Sequence, residues 1–578
     1  MKSRLNTSTL AWVLLAVAIA LGYLFQLGGD HIPRNGDELV YAHIARLTAE
    51  SGHLLPLVSS YDFMRNTKPP MLFWQAMVAG GWGDHWTLLS LRLPSMVYLW
   101  ATASMVGLLT RKIVIDTAGQ DKNQATVAGA ISAIVFLSFF STYRYGRPYL
   151  TSAPETFWLC GAFLALAWSP SQLLASRFKF PLLAGLAIGV GCLYKSFAMV
   201  VPVGLGLALC YQVLHARRAP WHVFRPGIVK DGIKVLAICV IAVGVFSLWF
   251  VLDPMPGEVW REFVVGENAG KFKSSDSYLK LAFSGSGGIL VILTGYFVNA
   301  GLLLPLAVGA AWTAWRSHRN GDVVGDAEKV MWLWLLALAL VFMLPSQRSA
   351  RYLIPAMPAV AVLVALYWQR IARIWFSLTL VFCALAALAM ALIGKGAVQA
   401  VGDRGVYSPF FWALLALIIS ASFLGIVKKA WTKPITAVCG FGFLLALAWV
   451  TAPFNGPLGH FSQQAVALVQ GQQVRVPNNF NGQFERYQFL LTGAKVVAYD
   501  APQPVDYADA DVDTLLKTSR FALVQRRKGQ VPCTQCRIVD VRWDIRSRQD
   551  PKEGAFTALT SPDTFWYSRE YLVERIQP

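Results

Sequence analysis

Two adjacent acids, Asp37 and Glu38, follow Gly36 and open a stretch in which Leu39, Val40, Ile44 and Leu47 recur at helical spacing. The pattern predicts an amphipathic helix with a carboxylate pair at its N-terminus, where Asp37 serves as an N-cap, as a proton acceptor, or as both. A basic, proline-stiffened strip follows, with Arg65, Lys68, Pro69 and Pro70. Further cations, Arg144, Arg147, Lys195, Arg348 and Arg351, stand in short polar breaks between apolar runs. Acids and fixed cations together suit transfer from a phosphate leaving group: cations stabilise the departing charge, and a carboxylate takes the proton of an acceptor hydroxyl. A sugar on a polyprenyl phosphate is a donor of that kind. Other chemistries are poorly served. There is no GxSxG elbow and no HExxH, the eight histidines are not clustered at metal spacing, and no P-loop or GxGxxG is present.

The elements that must hold these residues are set by composition. With 55% hydrophobic and 14% charged residues over 578 positions, and a mean hydropathy of +0.47, the chain is too apolar for a soluble domain, in which roughly 25% are charged. Apolar runs long enough to cross a bilayer recur from residue 9 to residue 452, and about thirteen helices are expected, the run from 181 to 214 being broken around Lys195. The first run follows Lys2 and Arg4 and has no small-residue cleavage site after it, so it is read as an uncleaved helix. Short basic loops containing Arg111, Lys112 and Lys122, Arg217, Arg218 and Arg225, Arg370 and Arg373, and Lys428 and Lys429 put the N-terminus in the cytoplasm. The loop from 29 to 87, Lys195, the 345 to 352 turn and everything after 453 then face outward. Arg144, Arg147, Lys195, Arg348 and Arg351 lie on that outward side, against the positive-inside bias. Two explanations stand: they pair with lipid headgroups or with Asp37, Glu38 and Glu155, or they bind a reactant. The net charge of +19 is read as membrane-surface charge, and no nucleic-acid partner is expected.

After Pro453 the composition turns polar. The pieces VRVP, YQFLL, KVVAYD, RFALVQRR and CRIVDVRWDIR read as strands and DVDTLLKTS as a helix, giving a small α/β or α+β domain over 453–578 beside a membrane domain over 1–452. Six of the eight cysteines fall in apolar runs as small buried residues. Cys533 and Cys536 lie in the outward domain without a second CxxC or a nearby histidine, and a local disulfide is favoured over zinc.

The string GDELVYAHIARLTAESGHLLPLV, followed by NTKPPMLFWQ, resembles the aminoarabinose transferase and protein O-mannosyltransferase group of GT-C glycosyltransferases, which use polyprenyl-phosphate sugars. The segments LTSAPETFWLCGAFLAL, GLAIGVGCLYKSFAMVVPVGL, EFVVGENAGKF and SARYLIPAMPAVAVL keep the family's order. The resemblance implies a polytopic α-helical membrane protein with outward amphipathic loop helices and a C-terminal periplasmic domain. It implies Asp37 as the catalytic carboxylate with Glu38 beside it. Lys68, Lys195 and Tyr352 match family positions, and the donor phosphate is expected among Lys68, Lys195, Arg348, Arg351 and Tyr352, with Arg65, Glu267, Asn268 and Lys271 around it. Ser152 stands where the family commonly has Asp. Glu155, one turn on, either replaces that carboxylate or is an ordinary buried glutamate. Thr67 and Asn268 stand where metal-binding members have ligands, so no metal or other cofactor is expected. The expected protein is a bacterial inner-membrane enzyme with its active site toward the periplasm, moving a sugar from an undecaprenyl-phosphate donor to lipid A, another envelope glycan or a protein. The alternatives are a protein O-mannosyltransferase and a lipid or sugar transporter; ionisable residues crowded at helix ends on one face favour the enzyme over the transporter.

Overall fold

A computed structural model describes residues 6–33, 36–60, 65–118, 121–215, 227–272, 282–283, 287–478, 483–500, 511–526, 530–545 and 555–576. The chain enters the helical bundle through α1 (Thr7–Gly22) and leaves it for a long loop carrying α2 (Asp37–Glu50) and α3 (Met71–Ala79). It re-enters through α4 (Leu88–Ala118) and returns through α5 (Lys122–Ser138). Helices α4 and α5 cross at glycines: a Cβ on Gly129 would sit 2.5 Å from the carbonyl oxygen of Gly107, so only small residues permit this approach. At Phe139 the backbone is extended, and α6 (Phe140–Gly146) leaves the axis of α5 by 59°. Next comes α7 (Ser152–Trp168), which starts with Ser-Ala-Pro-Glu; its proline and its acid both sit in the first turn, where a missing N–H costs nothing and negative charge meets the helix dipole.

Among the described residues eight helices are long and apolar enough to cross a membrane, or nine with α5 and α6 taken as one bent span. That is fewer than the expected thirteen. The shortfall lies in α1, α7, Lys179–Cys192 and Asp326–Phe342, each of at most 17 residues. At a rise of about 1.5 Å per residue these fall short of a hydrocarbon core about 30 Å thick. The break expected around Lys195 is present, between Lys179–Cys192 and Phe197–Met199. Arg217, Arg218 and Arg225 lie outside the described residues.

Beyond the last bundle helix, Thr432–Thr451, five strands form one sheet. They are β1 (Gln473–Asn478), β2 (Lys495–Asp500), β3 (Phe521–Arg526), β4 (Cys536–Ile545) and β5 (Tyr567–Arg575), in the order β2-β1-β3-β5-β4. The first three are parallel, β5 runs antiparallel to both β3 and β4, and Val512–Thr518 is a helix. The YQFLL segment is not a strand: Arg486–Leu490 is a short helix, because Arg486 and Tyr487 are drawn into a buried polar network. In that network Arg486 binds Asp30 at 2.5 Å and Asp544 at 2.7 Å, Tyr487 donates to Glu570 at 2.8 Å, and Arg542 binds Glu570 at 2.5 Å. Asp30 belongs to the loop after α1, so this network fastens the sheet to the bundle. Cys533 and Cys536 form a disulfide.

Candidate active site

Helix α2 has Gly36 as its cap residue and Asp37 as its first helical residue, with no side-chain cap bond. Asp37 is therefore not the N-cap that its position suggested. Its carboxylate instead faces Arg351, 3.5 Å away, and the two side chains are 41% and 46% exposed. An ion pair that open contributes at most about 1 kcal/mol, so its arrangement says more about reactivity than about stability.

Glu38 has a different fate. It is 1% exposed, and its two oxygens take the Nε and Nη2 of Arg92 at 2.7 and 2.9 Å and the backbone N–H of Tyr149 at 2.8 Å. Arg92, itself fully buried, also donates to the carbonyls of Leu27 and Gly29. Sequence reading grouped Glu38 with the catalytic acids. The structure makes it a clamp that locks the first turn of α2 onto α4 and the segment before α7, and so fixes where Asp37 points.

The basic strip is docked along one further loop helix. Pro256–Val259 continues into a π-helical stretch, Trp260–Asn268, and this rod presents Glu258, Glu262 and Glu267 to the strip. Arg65 pairs with Glu258, the Asn66 amide donates to Glu262 at 2.9 Å, and Lys68 binds Glu267 at 2.5 Å. Asn268 accepts from Ser196 at 2.7 Å and donates to the Phe263 carbonyl. Arg65 is thus taken up in docking the loop. Lys68 faces the Tyr41 ring at 5.9 Å. The side chain of Lys271 lies outside the described residues.

Lys195, in the break between helices, binds Glu155 at 2.7 Å and lies 6.0 Å from the Tyr352 ring. Glu155 is buried, so this pair is tight on one side and open on the other. Tyr352 packs against Phe342 and is within electrostatic reach of both Arg351 and Glu267. Arg348 is 5% exposed and donates to the backbone carbonyls of Met343 and Gly287, so it braces the 345 to 352 turn.

The tyrosine of α2, Tyr41, joins these groups. It lies one turn after Asp37 and is within electrostatic reach of Asp37, Glu267 and Arg351. Burial, reinforced by the carboxylates of Asp37 and Glu267, holds its phenol well above the ordinary range, so it stays an O–H donor. Sequence reading passed over Tyr41, although its i, i+4 spacing from Asp37 was available as a signal. It also passed over Arg92, for which no local signal exists. The structure brings together Asp37, Tyr41, Lys68, Glu267, Lys195, Glu155, Arg351 and Tyr352 at one end of the bundle. A cavity of about 1260 Å³ opens among other helix ends, lined by Lys112, Asp116, Asp322, Glu328 and Arg370. There Lys112 pairs with Asp116 and Arg370 with Asp322, and Glu328 accepts from Tyr367 and Trp332.

The C-terminal domain reaches this end of the bundle through Glu485. Its carboxylate takes Arg46 at 2.6 and 3.0 Å and His43 at 2.9 Å, both on α2. Burial raises a carboxyl group, but here the hydrogen bonds from Arg46 and His43 outweigh it and hold Glu485 below the usual range. A depressed folded-state value means the contribution is fully present above the unfolded value, about 4.3, and lost as pH falls through the lower folded one. Protection of the α2 amides, taken relative to their intrinsic exchange rate at each pH, should therefore hold down to about pH 5 and fall only below the unfolded value. In Glu485→Gln it should be weaker already at neutral pH, as charged hydrogen bonds of roughly 1.5–3 kcal/mol are lost.

Among the described residues, Asp30, His31 and Asp544 have the spacing of metal ligands. The Arg486 guanidinium already bridges the two carboxylates, so the position a cation would take is filled. Of the two positions where the family resemblance would put ligands, Asn268 is bonded to Ser196 and to the Phe263 carbonyl, and beside Thr67 the Lys68 ammonium sits on Glu267.

No protein-family model matches the chain. It is 24% identical over 499 residues to undecaprenyl phosphate-alpha-4-amino-4-deoxy-L-arabinose arabinosyl transferase 2 of Proteus mirabilis, covering 82% of each protein. It is 25% identical over 370 residues to the corresponding transferase of Edwardsiella ictaluri, covering 62% of this chain and 60% of that one. In fold it is similar to the crystal structure of ArnT from Cupriavidus metallidurans bound to undecaprenyl phosphate, with a TM-score of 0.58, 17% identity and 97% and 98% of the two chains covered. Over most of its length the chain is thus similar in sequence to aminoarabinose transferases, and it shares the fold of one of solved structure.

Proposed function

We propose that the protein moves a sugar from an undecaprenyl-phosphate-linked donor to an acceptor at the periplasmic face of a bacterial inner membrane. The acceptor we favour is a lipid A-type glycolipid, ahead of another envelope glycan or a protein. The observation that carries the reading is the exposed Asp37 carboxylate beside Arg351, at the same end of the bundle as Lys68 and Lys195. In the proposed step an acceptor oxygen attacks the anomeric carbon and its proton passes to Asp37. The bond from that carbon to the phosphate oxygen breaks, and undecaprenyl phosphate leaves with the electron pair. Lys68, Lys195 and Arg351 offset the charge of the leaving phosphate, each lysine shared with an acid, Glu267 or Glu155, that holds it in place. Tyr352 and Tyr41 wall the pocket, and Glu155 takes the place of the carboxylate missing at Ser152. The domain from 453 to 578 is proposed to lie in the periplasm and to brace α2. No resident metal or other cofactor is invoked.

Two measurements bear on this. Mass spectrometry of envelope lipids and glycans from a deletion strain should show one sugar modification missing, and no difference from the parent strain would count against the reading. Titration of the purified protein with undecaprenyl phosphate should weaken roughly tenfold or more in both Lys68→Ala and Lys195→Met, since charge-assisted hydrogen bonds contribute about 1.5–3 kcal/mol. Affinity should be indifferent to EDTA. Unchanged binding in both variants would put the phosphate elsewhere, and binding lost to EDTA and restored by zinc would overturn the metal-free reading.

A further inference from the structure

The short helix α6 carries two arginines with opposite surroundings. Arg147, just past its end, is buried and consumed by the bundle: it donates to the carbonyls of Tyr23 and Phe25 and to the Tyr143 hydroxyl. Arg144 is half-buried, and among the described residues no carboxylate or carbonyl is bonded to it; its guanidinium contacts only rings, Phe140 at 5.8 Å and Tyr145 at 5.3 Å. The same Tyr145 ring carries Arg351 at 5.8 Å, and Arg351 touches Asp37. Two guanidinium groups therefore lie against one aromatic ring, and the acid in contact with the second of them is Asp37. The ring faces offset part of the hydration this arginine loses, and its hydrogen-bond donors are left for an anionic ligand. The 59° bend at Phe139 turns α6 off the α5 axis, and the buried anchors of Arg147 fix the segment that carries Arg144.

We infer that Arg144, which shares the Tyr145 ring with Arg351, binds a phosphate group of one of the two reactants, a role the reading above gives to no residue of α6. The inference rests on the transferase reading. The guanidinium fork matches two phosphate oxygens at once, which a lysine ammonium cannot do. That phosphate belongs either to the polyprenyl carrier or to an anionic glycolipid acceptor.

The test uses the full chain in maltoside micelles, which contain no phosphate, and compares the parent with Arg144→Gln and Arg144→Lys. One arm titrates undecaprenyl phosphate directly. The other measures the KM for lipid A with and without its phosphates. A loss of about fivefold or more in carrier affinity assigns the site to the donor. An unchanged carrier affinity with a KM raised about fivefold or more for phosphorylated lipid A alone assigns it to the acceptor. In either case Arg144→Lys should recover part of the loss, which also shows that the variant folds. Smaller changes in both arms overturn the proposal. If the parent transfers no sugar, the transferase reading fails by itself and the carrier titration alone decides: weakened binding supports the anion site, and unchanged binding overturns it.

Discussion

Asp37→Asn is expected to lower turnover by roughly 10²–10⁴-fold, the range supplied by a positioned general base, while leaving the fold intact. The two expectations separate because of the geometry. Asp37 is not the cap residue of α2, and its partner Arg351 is nearly half exposed, so the pair contributes at most about 1 kcal/mol. Asn keeps the shape and can still accept from Arg351, but it cannot take a proton. The thermal midpoint of Asp37→Asn should therefore stay close to that of the parent, and undecaprenyl phosphate should bind as before. Near-normal turnover by the folded variant would remove Asp37 from the reaction.

Arg92→Met should do the reverse and destabilise first. Removing this guanidinium leaves Glu38 charged and enclosed, together with the carbonyls of Leu27 and Gly29, and stranding one member of a buried pair costs about 3–5 kcal/mol. The double variant Arg92→Met with Glu38→Leu should recover part of that loss, because no buried charge is left uncompensated. Thermal unfolding in detergent reads both. If Arg92→Met melts with the parent, the clamp on α2 is not what holds it. If the double variant is no better than the single, the cost lies in the lost carbonyl contacts and not in the stranded carboxylate.

How far the sequence could be read follows the range of the interactions involved. The helix of α2, its acids in the first turn and the break at Lys195 are local, set by spacing and composition within a few residues, and they are where the periodicity puts them. The membrane class and the mixed C-terminal sheet follow from hydropathy and strand propensity. The roles of neighbouring charges were not readable. Asp37 and Glu38 are consecutive and chemically alike, yet one faces solvent and the other faces Arg92, 54 residues away. Arg348 and Arg351 sit in one turn, and only the fold decides that the first binds carbonyls and the second faces Asp37. The contact of Glu485 with Arg46 spans 439 residues and has no signature in either segment. YQFLL was misread as a strand because its β-prone residues are overridden by the pull of Arg486 toward Asp30 and Asp544.

The most direct measurement is single-turnover transfer by the purified protein, reconstituted with an undecaprenyl-phosphate-linked aminosugar donor and lipid A. The expected result is release of undecaprenyl phosphate matched one for one by glycosylated lipid A, slowed by roughly 10²–10⁴-fold in Asp37→Asn. Donor that crosses the bilayer intact, or a sugar that is consumed at the same rate by the parent and by Asp37→Asn, would contradict it.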